Sequence, residues 1–451
     1  MRPLTKSDIT GDISDEYALY LKHFIQQRTK FRHTVTNFGV EISNNPVSAS
    51  RAALLRKKII SAGGEIRNGG KSVTWGNISP ACARCRTGIK SVSEFLSLAC
   101  HRSCWFCFNE NQFDYQDYKC KQKDWSKELS NYSKTMDGLD FVALTGGEPL
   151  LYENDACAFF AQARRENPSA HLRLYTSGDQ LTRELLEKLR DAGLDEIRFS
   201  IKLDDSSDEQ QLALDRLKLA VGIIPSVMVE MPVIPGTHDE MSKLLHELED
   251  AGAFGINLLE LCFPLHHAKE FNARGLKLKA NPYEVLYDYG YAGALPIDGS
   301  EELALELMLE EIKRNTSLHI HYCSLENKNT AQIYEQNEGG KRSIPLYSFS
   351  NENFFYITLR CFGECALALA DVLEEAGCAH ALDTEGRMVQ FSPSDLIHVI
   401  QAVQNSNAKL FAAYGVIERD TEGKARFREV DALAVESTDY MALCESCKHD
   451  E

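Results

Sequence analysis

Three cysteines crowd the segment Cys100-His101-Arg102-Ser103-Cys104-Trp105-Phe106-Cys107. Thiolates are soft ligands suited to iron–sulfur clusters. On a loop leaving a strand, this spacing can wrap three corners of one cluster. A cubane holds four irons, so three cysteines leave one iron open to bind and activate a small molecule. Two plainer readings also fit these residues: a zinc site with His101 as fourth ligand, or three unrelated core cysteines.

A second motif follows about 40 residues later, Leu144-Thr145-Gly146-Gly147-Glu148-Pro149-Leu150. Paired glycines let a ligand approach the backbone closely. Glu148 and the neighbouring carbonyls can accept hydrogen bonds from an ammonium group. A Gly-Gly-Glu triplet alone is usually a turn. At a strand end, after the cysteines, it has a partner for its chemistry.

Together these motifs resemble the radical SAM superfamily. The resemblance covers residues 95–265 and rests on Cys100, Cys104 and Cys107, on Phe106 before the last cysteine, and on the Gly-Gly-Glu-Pro loop. It implies a [4Fe-4S] cluster on the three cysteines, with S-adenosylmethionine chelating the fourth iron. Reductive cleavage would then yield a 5'-deoxyadenosyl radical that abstracts hydrogen from a substrate. Carried over residue by residue, Phe106, Thr145, Gly146, Gly147, Glu148 and Pro149 would contact the cofactor. So would Ser177, in Tyr175-Thr176-Ser177-Gly178, and Ser200 and Lys202 in Arg198-Phe199-Ser200-Ile201-Lys202. The alternative for Ser177 and Ser200 is that they satisfy backbone groups. The stretch Val229 to Gly236 would present backbone to the adenine.

The remaining cysteines, of 14 in all, suggest a second metal site. Cys82 and Cys85 precede Arg86-Thr87-Gly88, the form of a metal knuckle, and Cys444 and Cys447 repeat the spacing. If the pairs meet, they make a four-thiolate site for zinc or an auxiliary iron–sulfur cluster, as in cysteine-rich extensions of superfamily members that modify peptides. Alternation along His319-Ile320-His321-Tyr322-Cys323 puts His319, His321 and Cys323 on one strand face, adding Cys323 as a weaker candidate ligand. Cys361 and Cys365 read as one turn of a buried helix, and Cys120, Cys157, Cys262 and Cys378 as core. His266 and His267 follow the sixth strand, where substrate would lie.

The elements that must position these groups are legible as βα units. Strands fit residues 93–98, 140–145, 172–176, 196–201, 226–231 and 256–261, with helices between most of them. In one helix Leu181, Leu185, Leu186 and Leu189 share a face and Gly193 ends it. Six such units predict an α/β fold, a partial (β/α)6 TIM-like barrel with working residues at the C-terminal strand ends. Residues 1–90 are expected as an N-terminal extension, 91–300 as the barrel, and 301–451 as a C-terminal α+β domain. Helices are expected at 51–62 and 301–313, and strands at 72–75, 354–359, 410–417 and 426–435.

Composition bounds the function. The chain has 451 residues, 49 basic against 66 acidic, and a net charge of −17. That charge disfavours nucleic acid and anionic membranes as partners. No apolar run is long enough to span a bilayer, and no secretory signal is visible, so a reducing cytoplasmic location is expected. It also disfavours a disulfide-stabilised binding protein. The expected partners are an electron donor such as a flavodoxin or ferredoxin and a substrate. A ribosomally made peptide is the leading substrate class, with a small metabolite or cofactor precursor as the alternative. A non-catalytic zinc-binding protein is the competing class.

Overall fold

The computed structural model describes residues 1–9, 13–45, 48–287, 294–406 and 408–447. Its contacts divide the chain into two compact units. One comprises Gly39–Ala280 and Gly290–Lys328; the other comprises Met1–Phe38, Asn281–Tyr289 and Asn329–Glu451. These limits differ from the boundaries expected at 90 and 300. The physical reason is strand pairing and side-chain packing between segments remote in sequence.

The first unit is built on a nine-stranded sheet. Six parallel strands run in sequence order: Ser91–Phe95, Phe141–Thr145, His171–Thr176, Glu196–Phe199, Ser226–Val233 and Gly255–Glu260. They are the six expected strands, with ends shifted by a few residues. A seventh parallel strand, His319–Cys323, pairs with Gly255–Glu260, setting His321 opposite Asn257. Its other edge pairs antiparallel with Ser72–Trp75, which pairs with Glu65–Arg67. The sheet thus keeps two edges and forms an open, partial barrel.

Alternation along these strands assigns the two faces. Val142, Leu144, Leu172, Leu174, Ile197, Val227, Val229, Ile256 and Leu258 join one buried apolar core with the helices. The intervening positions on the other face carry Arg173, Tyr175, Arg198, Glu230 and Asn257. Helix Arg183–Asp191 shows why its sequence folds locally. The Thr182 side chain accepts from Leu185 N, Leu185, Leu186 and Leu189 are buried, and Gly193 at φ 97° ends the turn. Each such leucine contributes about 1.5–3 kcal/mol by leaving water. Helix Ser207–Ala220 begins with a capping box between Ser206 and Glu209. Helices Ser48–Ser61 and Ser300–Arg314, both expected, place Ala52, Leu55, Ile59 and Leu305 in the same core.

The second unit is α+β, with an antiparallel sheet in the order Arg2–Pro3, Ala425–Val435, Leu410–Arg419, Tyr356–Phe362, Met388–Phe391, His380–Asp383. Helix Asp15–Thr36 buries Leu21 and Phe24 against Phe362, Phe411 and Ala432. Cys361 lies in the last residues of strand Tyr356–Phe362 and Cys365 in the first turn of helix Glu364–Glu375, so the two do not share a helical turn. Gly363, at φ 84°, makes the break between them. Cys120 is exposed, Cys262 and Cys378 are half-buried, and the half-buried Cys157 packs against the apolar core, so none of the four is fully buried. No helix among the described residues is long and apolar enough to cross a membrane.

Candidate active site

The cysteine triad lies on the irregular segment that leaves strand Ser91–Phe95 at its C-terminal end. Leu96 and Leu98 bury the start of this loop. Its backbone is tied down by Leu98 N donating to Tyr118 O at 2.9 Å and Lys123 N donating to Leu96 O at 2.8 Å. Cys100 is exposed, and Cys104 and Cys107 are half-buried. Burial pushes the Cys104 thiol up to about 11, partly offset by Lys202, which lies beside it. Burial likewise raises Cys100 and Cys107. Thiols of this kind release protons when they bind metal.

The Gly-Gly-Glu-Pro loop is pressed onto the triad loop. Gly147 N donates to Ser97 O at 3.2 Å and Glu148 N donates to Ala99 O at 2.8 Å. A Cβ on Gly147 would stand 2.0 Å from the Ala99 carbonyl oxygen, and one on Gly146 would stand 2.5 Å from the Phe95 Cβ. The paired glycines therefore admit the neighbouring cysteine loop, where close approach of a ligand was expected. Asn109, just past Cys107, donates its amide to Gly146 O at 2.5 Å.

Glu148 is only 2% exposed, and its carboxylate takes four donors. Thr176 Oγ1 (2.7 Å) and Leu150 N (3.1 Å) reach Oε1, while Ser177 N (2.7 Å) and Ser177 Oγ (2.8 Å) reach Oε2. A carboxylate offers about four lone-pair sites. Its acceptor capacity is spent on joining the second and third strand ends, so an ammonium group must displace a donor or use backbone carbonyls. Ser177 serves this clamp too. Ser200 N donates to Thr176 O at 2.9 Å, and Lys202 is buried near the triad. In the segment 229–236, the Val233 carbonyl already accepts from Ser300 Oγ at 2.7 Å.

Other contacts were not foreseen from the sequence. Arg102 forms a fork with Asp179, Nη2 to Oδ1 and Nε to Oδ2 both at 2.8 Å, and also reaches Asp205 at 3.0 Å and Glu209 at 2.8 Å. His101, the candidate zinc ligand, pairs with the same Asp179. Although burial opposes ionisation of Asp179, Arg102 and His101 hold its carboxyl well below the ordinary range. Trp105 donates to Asp204 at 2.6 Å and meets Phe106 and Phe271 edge-on, with the Arg274 guanidinium over its ring. The triad loop is thus held by acidic residues of the third and fourth strand ends.

Cys82 and Cys85 lie on the short helix Pro80–Arg84 and its C-cap, not on a knuckle turn. Cys82 Sγ accepts from Arg198 Nη2 at 3.4 Å and Asn257 Nδ2 at 3.5 Å. Arg198, 3% exposed, also bonds Glu196 at 2.6 Å, Glu230 at 2.7 Å and Tyr175 at 3.0 Å. His321 bridges Asn257 at 3.0 Å and Ser72 at 2.9 Å. Burial opposes ionisation of Cys82, but Arg198 and His321 together outweigh it and lower its thiol to about 6. Burial pushes Cys323 up to about 12, and both Cys85 and Cys82 are close enough to act on it electrostatically. Lys328 lies among Glu230, Cys323, Cys262 and Cys85, and although burial opposes its charge, these four neighbours raise its ammonium. Cys444 and Cys447 belong to the other unit, at the end of helix Tyr440–Ser446, and are 2% and 1% exposed.

A family model, the radical SAM superfamily, matches residues 96–248. Residues 96–248 thus match the radical SAM superfamily, whose members are enzymes. It is similar to a protein named as a glycyl-radical enzyme activating enzyme in Methanocaldococcus jannaschii, with 28% identity over 258 residues, 56% of this chain and 64% of that one. It is also similar to the GTP 3',8-cyclase of Aliarcobacter butzleri, with 25% identity over 173 residues, 38% of this chain and 45% of that one. The chain thus spans less than two thirds of each of these relatives. Among solved structures, Streptococcus suis SuiB bound to precursor peptide SuiA aligns at a TM-score of 0.38 and 13% identity, over 72% of this chain and 67% of that one.

Proposed function

We propose that this enzyme cleaves S-adenosylmethionine reductively and uses the product to abstract hydrogen from a substrate. The observation that carries this reading is the backbone lock between the triad loop and the Gly146–Gly147–Glu148 loop at adjacent strand ends. The donor set fits a [4Fe-4S] cluster. Cys100, Cys104 and Cys107 share one loop at the strand end, with Lys202 beside them. When bound, the cluster and S-adenosylmethionine supply a one-electron route to a carbon radical. The chain's own residues do the positioning. Glu148 fixes the second strand end to the third through Thr176 and Ser177. Asp179 and Arg102 fix the cysteine loop from the other side. Trp105 and Phe271, both buried, pack edge-to-face beside it.

For the substrate, a peptide or protein is the leading class. The relative named as a glycyl-radical enzyme activating enzyme supports it. The GTP 3',8-cyclase keeps a small metabolite in play. A flavodoxin or ferredoxin would supply the electron. Cys82, Cys85 and Cys323, within electrostatic reach of one another, are the proposed ligands of a second cluster or zinc.

The test is iron, sulfide and 5'-deoxyadenosine in anaerobic protein given reductant and S-adenosylmethionine. The wild type is expected to form the nucleoside, and the Cys100→Ala, Cys104→Ala, Cys107→Ala variant to lose at least 10³-fold. Retained product in that variant would overturn the assignment. An iron content that falls by half in Cys82→Ala, with product retained, would support the second cluster.

A further inference from the structure

We propose that Glu110, His266 and His267 form a site for a divalent transition-metal ion of the zinc or ferrous type, separate from the cysteine sites. Among the described residues, these three are the group whose metal-ligating atoms all lie within 4.8 Å of one another. They come from two loops at the C-terminal end of the barrel sheet. Glu110 lies three residues after Cys107, and the histidines follow the strand Cys262–Phe263.

The donor separations point to an ion rather than to direct hydrogen bonds. His266 Nδ1 stands 3.9 Å from Glu110 Oε2, and His267 Nε2 stands 3.8 Å from Glu110 Oε1. Both are too long for a hydrogen bond. A tetrahedral ion with bonds of about 2.0–2.1 Å needs donors about 3.3 Å apart, a closure of roughly half an ångström. Both ring nitrogens of His266 are buried and lack a hydrogen-bond partner. Buried polar atoms are ordinarily satisfied, so an orphaned imidazole calls for a ligand. The two rings lie 4.4 Å apart, nearly perpendicular.

The backbone is shaped for this convergence. Leu265 at φ 68° and His267 at φ 59° are left-handed without being glycine, and they flank His266 on both sides. Strain of this kind persists where the surroundings over-determine it, and it gathers at ligand sites. Asn111, next to Glu110, donates to Pro264 O at 2.8 Å, so the two donor loops are joined by a bond that needs no ion. Imidazole nitrogen in two of three positions selects zinc or ferrous iron over calcium or magnesium. Two histidines and one carboxylate leave coordination positions open. At a barrel mouth beside the cluster loop, an open position would take a carboxylate or amide oxygen of the substrate.

The experiment uses untagged protein with its iron–sulfur content reconstituted, equilibrated anaerobically with Zn²⁺ or Co²⁺. The wild type is expected to take up one equivalent more than His266→Ala/His267→Ala, with cobalt visible bands free of thiolate charge transfer. Glu110→Gln, which preserves shape, is expected to weaken binding at least tenfold. Sulfide content and cluster absorbance equal to wild type confirm that each variant is folded. Equal metal uptake by wild type and the double variant, or a cobalt spectrum carried wholly by thiolate charge transfer, would overturn the site.

Discussion

At the scale of single residues, the unusual feature is how many ionisable groups are buried with a purpose. Glu148, Arg198 and Asp179 are each saturated by partners, so each positions a strand end instead of floating in the site. Glu302 is the opposite case. Among the described residues, Ser48 donates to its Oε1, its Oε2 has no partner, and burial pushes its carboxyl up to about 7. The ordinary carboxyl value is about 4.3. Between those values the folded chain therefore holds more protons than the unfolded one. Its contribution to stability is complete below about pH 4.3 and is lost as pH rises through about 7. Glu302→Gln is expected to stabilise the protein by about 1–3 kcal/mol at pH 8 and to change little at pH 4.5, as read by urea denaturation at both pH values.

At the scale of elements, the site depends on two loops lying backbone to backbone. Gly147→Ala places a methyl 2.0 Å from the Ala99 carbonyl, so one loop must move. The expected cost is about 1–3 kcal/mol with loss of most nucleoside product. Gly222→Ala is the control. Gly222 has a left-handed φ of 83° and nothing within 4 Å of an added Cβ. Only backbone strain of about 1 kcal/mol is expected there, with product formation retained. Thermal melts and 5'-deoxyadenosine assays on both variants decide it. If the two variants behaved alike, the loop-to-loop lock would not be the reason for the paired glycines.

At the scale of the whole molecule, the chain crosses between its two units several times. Helix Asp15–Thr36 completes the core of a sheet whose strands, Arg2–Pro3 apart, begin more than 300 residues later. Deleting residues 1–38 is expected to uncover Phe362, Phe411 and Ala432 and to cost that unit the burial of Leu21 and Phe24, about 1.5–3 kcal/mol each. Limited proteolysis should then cut within 329–447 at least tenfold faster than in the full chain. An unchanged cleavage rate would show that the helix is dispensable to that sheet.

Much of this was legible in the sequence because it is local. Three cysteines at fixed spacing, a Gly-Gly-Glu-Pro turn and apolar residues at helical and strand periods each declare themselves within a few positions. They determined the resemblance to the radical SAM superfamily, the six consecutive parallel strands and the placing of the triad and Glu148 at strand ends. What only the tertiary structure decided depends on partners far apart in the chain. The seventh strand, His319–Cys323, and the hairpin of Glu65–Arg67 with Ser72–Trp75 join the barrel sheet by pairing across more than 240 residues. Cys82 Sγ is held by Arg198 and Asn257, donors that arrive from separate strands. Glu148 clamps Thr176 and Ser177 for the same reason. Hydrogen-bond saturation is a property of the assembled neighbourhood, and no local spacing encodes it.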